Sequence, residues 1–213
     1  MATRRKPDAR CEICVMRHEV CLCPEIAKCG DAVKDAQTRI VVLMHHRELC
    51  LTTSTARLAA LTLPQCEIRI RGLKDEPLNT EGIIESDRQT LFLFPSEDAL
   101  PLNEVIQKNG SKNITLIVPD GSWRQAAKVA KREAFLKDIP RVFLPAGLES
   151  GYKLRREPKL GGLATVEAIA RALTLIEGEN IGRPLEDLFT TMVNRTLLTR
   201  RGAALTPPQL KSF

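Results

Sequence analysis

Five apolar runs, Arg39 to His45, Glu67 to Arg71, Thr90 to Phe94, Asn113 to Val118 and Arg141 to Leu144, lack the two-residue alternation of strands that face water on one side. Strands covered on both faces belong to a mostly parallel sheet, and the helical patterns between these runs predict an α/β fold with helices on both faces. The predicted helices run from Thr53 or Ser54 to Leu63, from Ser122 onward, from Thr165 to Ile176, and from Arg183 to Arg201 as one helix or two short ones. In the third of these, Val166, Ile169, Ala170 and Leu173 share one face, the stripe an amphipathic helix packs on a sheet. A chain of 213 residues, 43% hydrophobic and 27% charged, suffices for one sizeable core and a small appendage.

The appendage is the amino-terminal stretch, which holds five of the seven cysteines, at positions 11, 14, 21, 23 and 29. Its low apolar content gives it no core of its own, so we divide the chain into a Cys-rich segment, 1–32, and a main domain, 33–213. Cys11, Cys14, Cys21 and Cys23 follow the pattern C-x2-C-x6-C-x-C, and two close thiolate pairs can close a tetrahedral structural zinc site. His18 and Cys29 are alternatives for one ligand, and oxidation-prone thiols in a mobile tail are the competing reading. A closed four-thiolate site leaves no open coordination position, so no catalytic role is expected of it. The odd cysteine number argues against a secreted disulfide framework. No apolar run reaches membrane-spanning length, and Met1 to Pro7 lead into no signal-peptide core. A cytoplasmic protein without membrane attachment is expected.

Chemistry concentrates where strands end and helices begin, the ligand edge of such sheets. Val118-Pro119-Asp120-Gly121-Ser122-Trp123 contains the only tryptophan and sets an acid beside a flat ring. A capping Asp or Ser above a core Trp is the plain alternative. His45-His46-Arg47-Glu48 ends the first strand and lacks the i,i+4 spacing of zinc hydrolases, so packing or hydrogen bonding is expected of it. Strands are expected to stop at Phe94-Pro95, Val118-Pro119 and Leu144-Pro145, since proline ends pairing. Arg155 or Arg156 can hold a carboxylate or phosphate, Thr165 can cap its helix, and Glu167 can pair with Arg171 on the surface.

The helix after Ser122 reads as one face of Trp123, Ala126, Ala127 and Ala130 and another of Arg124, Lys128, Lys131 and Arg132. Arg4, Arg5, Lys6, Arg10, Arg200 and Arg201 add basic ends to a chain of net charge +6. Together these charges favour an RNA partner over a small neutral substrate.

Across nearly its whole length the chain resembles the DTW-domain family of tRNA-uridine aminocarboxypropyltransferases. The resemblance is carried by the four clustered cysteines, His45 with Glu48 and Thr55, Phe94-Pro95-Ser96, Asp120-Gly121-Ser122-Trp123, and Leu154-Arg155 through Glu157-Pro158 to Thr165-Val166-Glu167-Ala168. The family's acid-x-Thr/Ser-Trp signature has serine at its hydroxyl position here. The resemblance implies a SPOUT-like knotted α/β fold that binds S-adenosylmethionine, transfer of its 3-amino-3-carboxypropyl group to N3 of a tRNA uridine, and release of methylthioadenosine.

It also implies a cofactor site lined by Leu93, Pro95, Ser96, Pro119, Gly121, Ser122, Trp123, Leu144, Leu154, Arg155 and Thr165, with tRNA against Arg4, Arg5, Arg10, Arg124, Lys128, Lys131, Arg132 and Arg200. Asp120 is the candidate base for the N3 proton. Its ordinary pKa of about 3.9 suits so weak an acid poorly, so burial or an oriented hydrogen bond must help. The alternative role is orienting the uracil or the cofactor amine. Two other activities compete: a SPOUT-type RNA methyltransferase and a non-enzymatic zinc-containing RNA-binding protein. A monomer is favoured.

Overall fold

The computed structural model describes residues 10–52, 54–145 and 162–200. Six strands, β1 (Arg39–His45), β2 (Cys66–Arg71), β3 (Gln89–Leu93), β4 (Leu100–Pro101), β5 (Ile114–Asp120) and β6 (Arg141–Phe143), form one sheet in the order β2-β1-β5-β3-β6-β4. Every pairing between them is parallel. The helices are α1 (Cys23–Ala32), α2 (Ala56–Thr62), α3 (Leu102–Asn109), α4 (Trp123–Arg132), α5 (Thr165–Glu177) and α6 (Glu179–Arg200).

The expected mostly parallel sheet is therefore present, and the missing alternation has its expected cause. Ile40, Val42, Met44, Leu116 and Val118 join one core with apolar residues of α1, α2, α3, α5 and α6. Val41, Leu43, Phe92 and Ile117 face the other way, into a smaller core closed by Ile83, Val129 of α4 and Leu136. Both sides of β1 and β5 are buried, so both sides are apolar.

The amino-terminal lobe shares the larger core through Cys14, Met16, Val20, Leu22, Ile26 and Cys29. Its helix α1 packs on α2 and α6. No helix among the described residues is long and apolar enough to cross a membrane.

Some boundaries differ from expectation for identifiable reasons. The strand expected to stop at Val118-Pro119 continues to Asp120, with Leu43 opposite Pro119 and Met44 opposite Asp120. The register of β5 with β3 ends at Ile117, so the proline, which has no N–H, sits where the strand is paired on one side only. The last helix begins at Glu179, ahead of the expected Arg183, and carries Pro184 within it. The helix expected from Thr53 or Ser54 begins at Ala56, after Thr55.

Candidate active site and cysteine centre

Parallel strands send their carboxyl ends to one edge, and three helix starts meet that edge here. Asp120 closes β5 with 6% of its surface exposed, on the same side of the sheet as its register partner Met44. The Thr165 hydroxyl, first residue of α5, donates to Asp120 Oδ1. The amide of Val166 donates to the Thr55 hydroxyl at 3.3 Å, which ties the start of α5 to the residue preceding α2. Thr165 therefore does not cap its helix as expected: Ala164 occupies the cap position, and the hydroxyl is spent on the catalytic candidate.

Glu167 is also placed differently from the expected surface pair. It does accept from Arg171 Nη2 at 3.1 Å, but it is 4% exposed and its other oxygen accepts from the amide of Ala164 at 3.2 Å. It fastens the first turn of α5 from inside.

Between Asp120 and α4, the backbone turns at Gly121 with φ of 150°. A Cβ there would stand 2.9 Å from Gln125 Oε1 and 3.4 Å from His45 Cβ, so glycine is required on grounds of both conformation and space. Ser122 caps α4: its hydroxyl accepts from the Gln125 amide at 3.3 Å while its own amide donates to Gln125 Oε1 at 2.7 Å. This reciprocal box fixes where α4 starts.

The faces of α4 depart from the sequence reading. Ala126 and Val129 are buried, whereas Trp123 and Ala127 are exposed together with Arg124, Lys128, Lys131 and Arg132. The tryptophan is no core residue. It is 40% exposed, with its ring centroid 6.1 Å from that of Phe94, and it borders the cationic face. At the far end of the helix, Arg71 of β2, itself buried, pairs with Glu133 at 3.3 Å and holds that end against the sheet.

His45 and His46 behave as packing and hydrogen-bonding groups. Their rings lie 4.6 Å apart, and His45 Nδ1 accepts from the Arg47 amide at 3.3 Å. Burial first, then the nearby His46, Arg71 and Arg47, push the His45 pKa below its ordinary value, so the imidazole is neutral at pH 7. Glu48 is buried as well.

Of the other expected residues, Leu93 is buried, Ser96 and Leu144 are partly buried, and Pro95 is exposed, all at or just beyond the carboxyl ends of β3 and β6. Arg10 donates from Nη1 to the Val15 carbonyl at 2.8 Å and so braces the cysteine loop. Arg4, Arg5, Leu154 and Arg155 lie outside the described residues, as do Lys6, Arg156 and Arg201 and the side chain of Arg200.

The four expected cysteines do converge. Their sulfurs all lie within 4.8 Å of one another, Cys11 and Cys23 at 3.5 Å and Cys14 and Cys21 at 3.7 Å. A tetrahedron of zinc–sulfur bonds of about 2.3 Å has sulfur–sulfur edges of about 3.8 Å, so the set fits zinc. Neither His18 nor Cys29 belongs to the cluster; burial pushes the Cys29 thiol up to about 11.

The four thiols differ among themselves. Amides of Cys14 and Ile13 draw Cys11 down to about 6, while burial and the neighbouring sulfur of Cys11 push Cys23 up to about 12. Binding a metal at neutral pH therefore releases a proton from Cys23.

Comparison with known proteins extends this picture. A family model described as DTW domain matches residues 8–197. The tRNA-uridine aminocarboxypropyltransferase 2 of Drosophila melanogaster is 32% identical over 84% of this chain and 73% of its own length. The protein of the same name from Macaca fascicularis is 28% identical over 87% of this chain and 63% of its own length. The chain thus spans about two thirds of these relatives. The solved structure of the SAM-dependent rRNA:acp-transferase Tsr3 from Vulcanisaeta distributa is 17% identical, with a TM-score of 0.48 over 77% of this chain and 80% of that one.

Proposed function

The chain belongs to the DTW domain family, and from that premise we propose that it transfers the 3-amino-3-carboxypropyl group of S-adenosylmethionine to N3 of a tRNA uridine. The observation that carries this reading is the buried Asp120 carboxylate, held by Thr165 at the sheet's ligand edge and three residues from an exposed tryptophan on a cationic helix. The names of the relatives agree with it.

S-adenosylmethionine supplies an electrophilic carbon beside a sulfonium: transfer forms the N3–C bond and breaks the C–S bond, whose electron pair stays on sulfur to give methylthioadenosine. The residues present suit such a ligand, because apolar Leu93 and Leu144 lie at the edge that also carries the Asp120 carboxylate. In this proposal Leu93, Pro95, Ser96, Pro119, Gly121, Ser122, Trp123, Leu144 and Thr165 line its site, with Leu154 and Arg155 completing it. Asp120 accepts the N3 proton, and Thr165 fixes the carboxylate that does so. A SPOUT-like knot is part of the same proposal, supported by the all-parallel order and by the packing of α5 beside the end of β5.

The cysteine lobe, 1–32, serves as a structural zinc module and 33–213 as the catalytic domain. Arg124, Lys128, Lys131 and Arg132 bind tRNA phosphates, and Arg4, Arg5, Arg10 and Arg200 are further tRNA contacts in this proposal. Incubation with the cofactor and tRNA tests the reaction: methylthioadenosine and an aminocarboxypropyl-uridine are expected. Release of S-adenosylhomocysteine with methylated nucleoside would support the methyltransferase reading instead.

The basic face makes its own prediction. Lys128→Ala with Lys131→Ala is expected to raise the KM for tRNA severalfold and to flatten the salt dependence of log K by about 2, roughly one per lost phosphate contact. An unchanged salt slope, measured by titration at several salt concentrations, would remove this face from the tRNA surface.

A further inference from the structure

One buried arginine grips the cysteine lobe from α6. Arg195 of α6 is 3% exposed. Its Nη1 donates to the carbonyl of Cys21 and, at 3.0 Å, to Glu25 Oε2, while Nη2 donates to Glu25 Oε1. This is a two-toothed arginine–carboxylate pair with a third bond to backbone, geometry that fixes the guanidinium in both position and plane.

The backbone group it reaches is the informative part. The Cys21 carbonyl and the Leu22 N–H belong to one peptide unit, and that N–H donates to Cys14 Sγ at 3.4 Å. A single peptide plane therefore joins the guanidinium on one side to a sulfur of the cluster on the other. A cation at the oxygen end draws electron density towards oxygen and strengthens the N–H as a donor, the cooperative polarisation expected of hydrogen-bond chains in a low dielectric. Leu22 is fully buried, so water does not compete for the N–H end. The same plane is one of the two peptide units between Cys21 and Cys23, so its orientation bears on the geometry of the C-x-C arm.

We infer that Arg195 is a positioning residue of the metal centre, acting through the Cys21–Leu22 peptide. The inference rests on the reading of the four cysteines as a metal site. Arg195 orients the C-x-C arm and supports the bond to Cys14 Sγ, while Glu25 holds the guanidinium in place and balances its charge. A plain ion pair between α6 and α1 would have no influence on the metal beyond its effect on folding.

Metal exchange in the full chain separates the two. Cobalt(II) serves as the optical probe of four-sulfur coordination, and zinc(II) release to a chromogenic chelator gives the rate. Loss of an outer-shell partner lowers metal affinity by about 10–100-fold, and that loss is expected for Arg195→Met. Arg195→Lys, which keeps the charge but not the fork, should fall between Arg195→Met and the unaltered protein. Glu25→Gln, which spares the bond to Cys21, should lose less than Arg195→Met.

Arg195→Met and Arg195→Lys proteins that are folded by circular dichroism and hold cobalt and release zinc as the unaltered protein does would overturn the inference. Should Arg195→Met fail to fold, the Lys variant decides: faster release supports the role and unchanged release overturns it. Failure of the unaltered protein to take up cobalt would overturn the metal reading itself, and this inference with it.

Discussion

Asp120→Asn is expected to lower turnover, followed as methylthioadenosine release, by about 10²–10⁴-fold, the usual contribution of a positioned general base. The substitution suits the question because asparagine retains an oxygen that accepts from the Thr165 hydroxyl and nearly retains the volume of a side chain that is only 6% exposed. What disappears is the charge. If Asp120 only orients a substrate group, the retained acceptor keeps turnover within about tenfold of the unaltered enzyme, and the general-base role fails. Thr165→Val provides the second arm. A hydrogen bond to a charged group contributes about 1.5–3 kcal/mol, so its loss should reduce turnover by about 10–100-fold, below the effect of Asp120→Asn. Equal losses from both variants would make the contact between β5 and α5, more than the carboxylate, the critical feature. Single-turnover measurements with saturating tRNA keep binding out of the comparison.

The edge on which Asp120 lies was legible because it is a consequence of local pattern. The run Arg39 to His45 is β1 to the residue, and the capping box at Ser122 follows from a serine three residues before a glutamine. Elements made of short or mixed segments were not legible. Helix α3 has only eight residues and follows a two-residue strand, too little length for periodicity to emerge, although Leu102, Val105 and Ile106 do fall at helical spacing and Gly110 closes the helix. Helix α1 was hidden by its cysteines, two of which, Cys23 and Cys29, lie within it.

The faces of α4 were misassigned because Trp123 was grouped with the alanines. At 3.6 residues per turn, Trp123, Ala127 and Lys131 lie along one stripe, beside Arg124 and Lys128. The contacts that join distant segments had no local signal at all. Asp120 meets Thr165 across 45 residues, and Arg195 meets Cys21 across 174; a single sequence offers composition and spacing, and neither encodes which helix end arrives at which strand.

Gly182→Ala is expected to destabilise the fold by about 3 kcal/mol, the upper part of the usual range for overpacking a close contact, and to lower Tm by about 10 °C in a chain of this size. The reason is the approach of α6 to α5. A Cβ at position 182 would stand 1.9 Å from Thr174 Oγ1, 2.5 Å from the Ala170 carbonyl oxygen and 2.9 Å from the Thr174 amide nitrogen. The hydroxyl can rotate away by giving up its 3.1 Å bond to the Ala170 carbonyl, but the two backbone atoms belong to a regular helix and cannot. Adding Thr174→Ala should accordingly recover less than half of the lost stability. Full recovery would show that the hydroxyl was the whole obstacle, and a Gly182→Ala protein as stable as its parent would show that the helix pair readily opens. The consequence reaches the active site, because α5 begins with Thr165 and Glu167. Pushing α6 outward pulls on the helix whose first hydroxyl holds Asp120, so turnover should fall even at temperatures where Gly182→Ala remains folded.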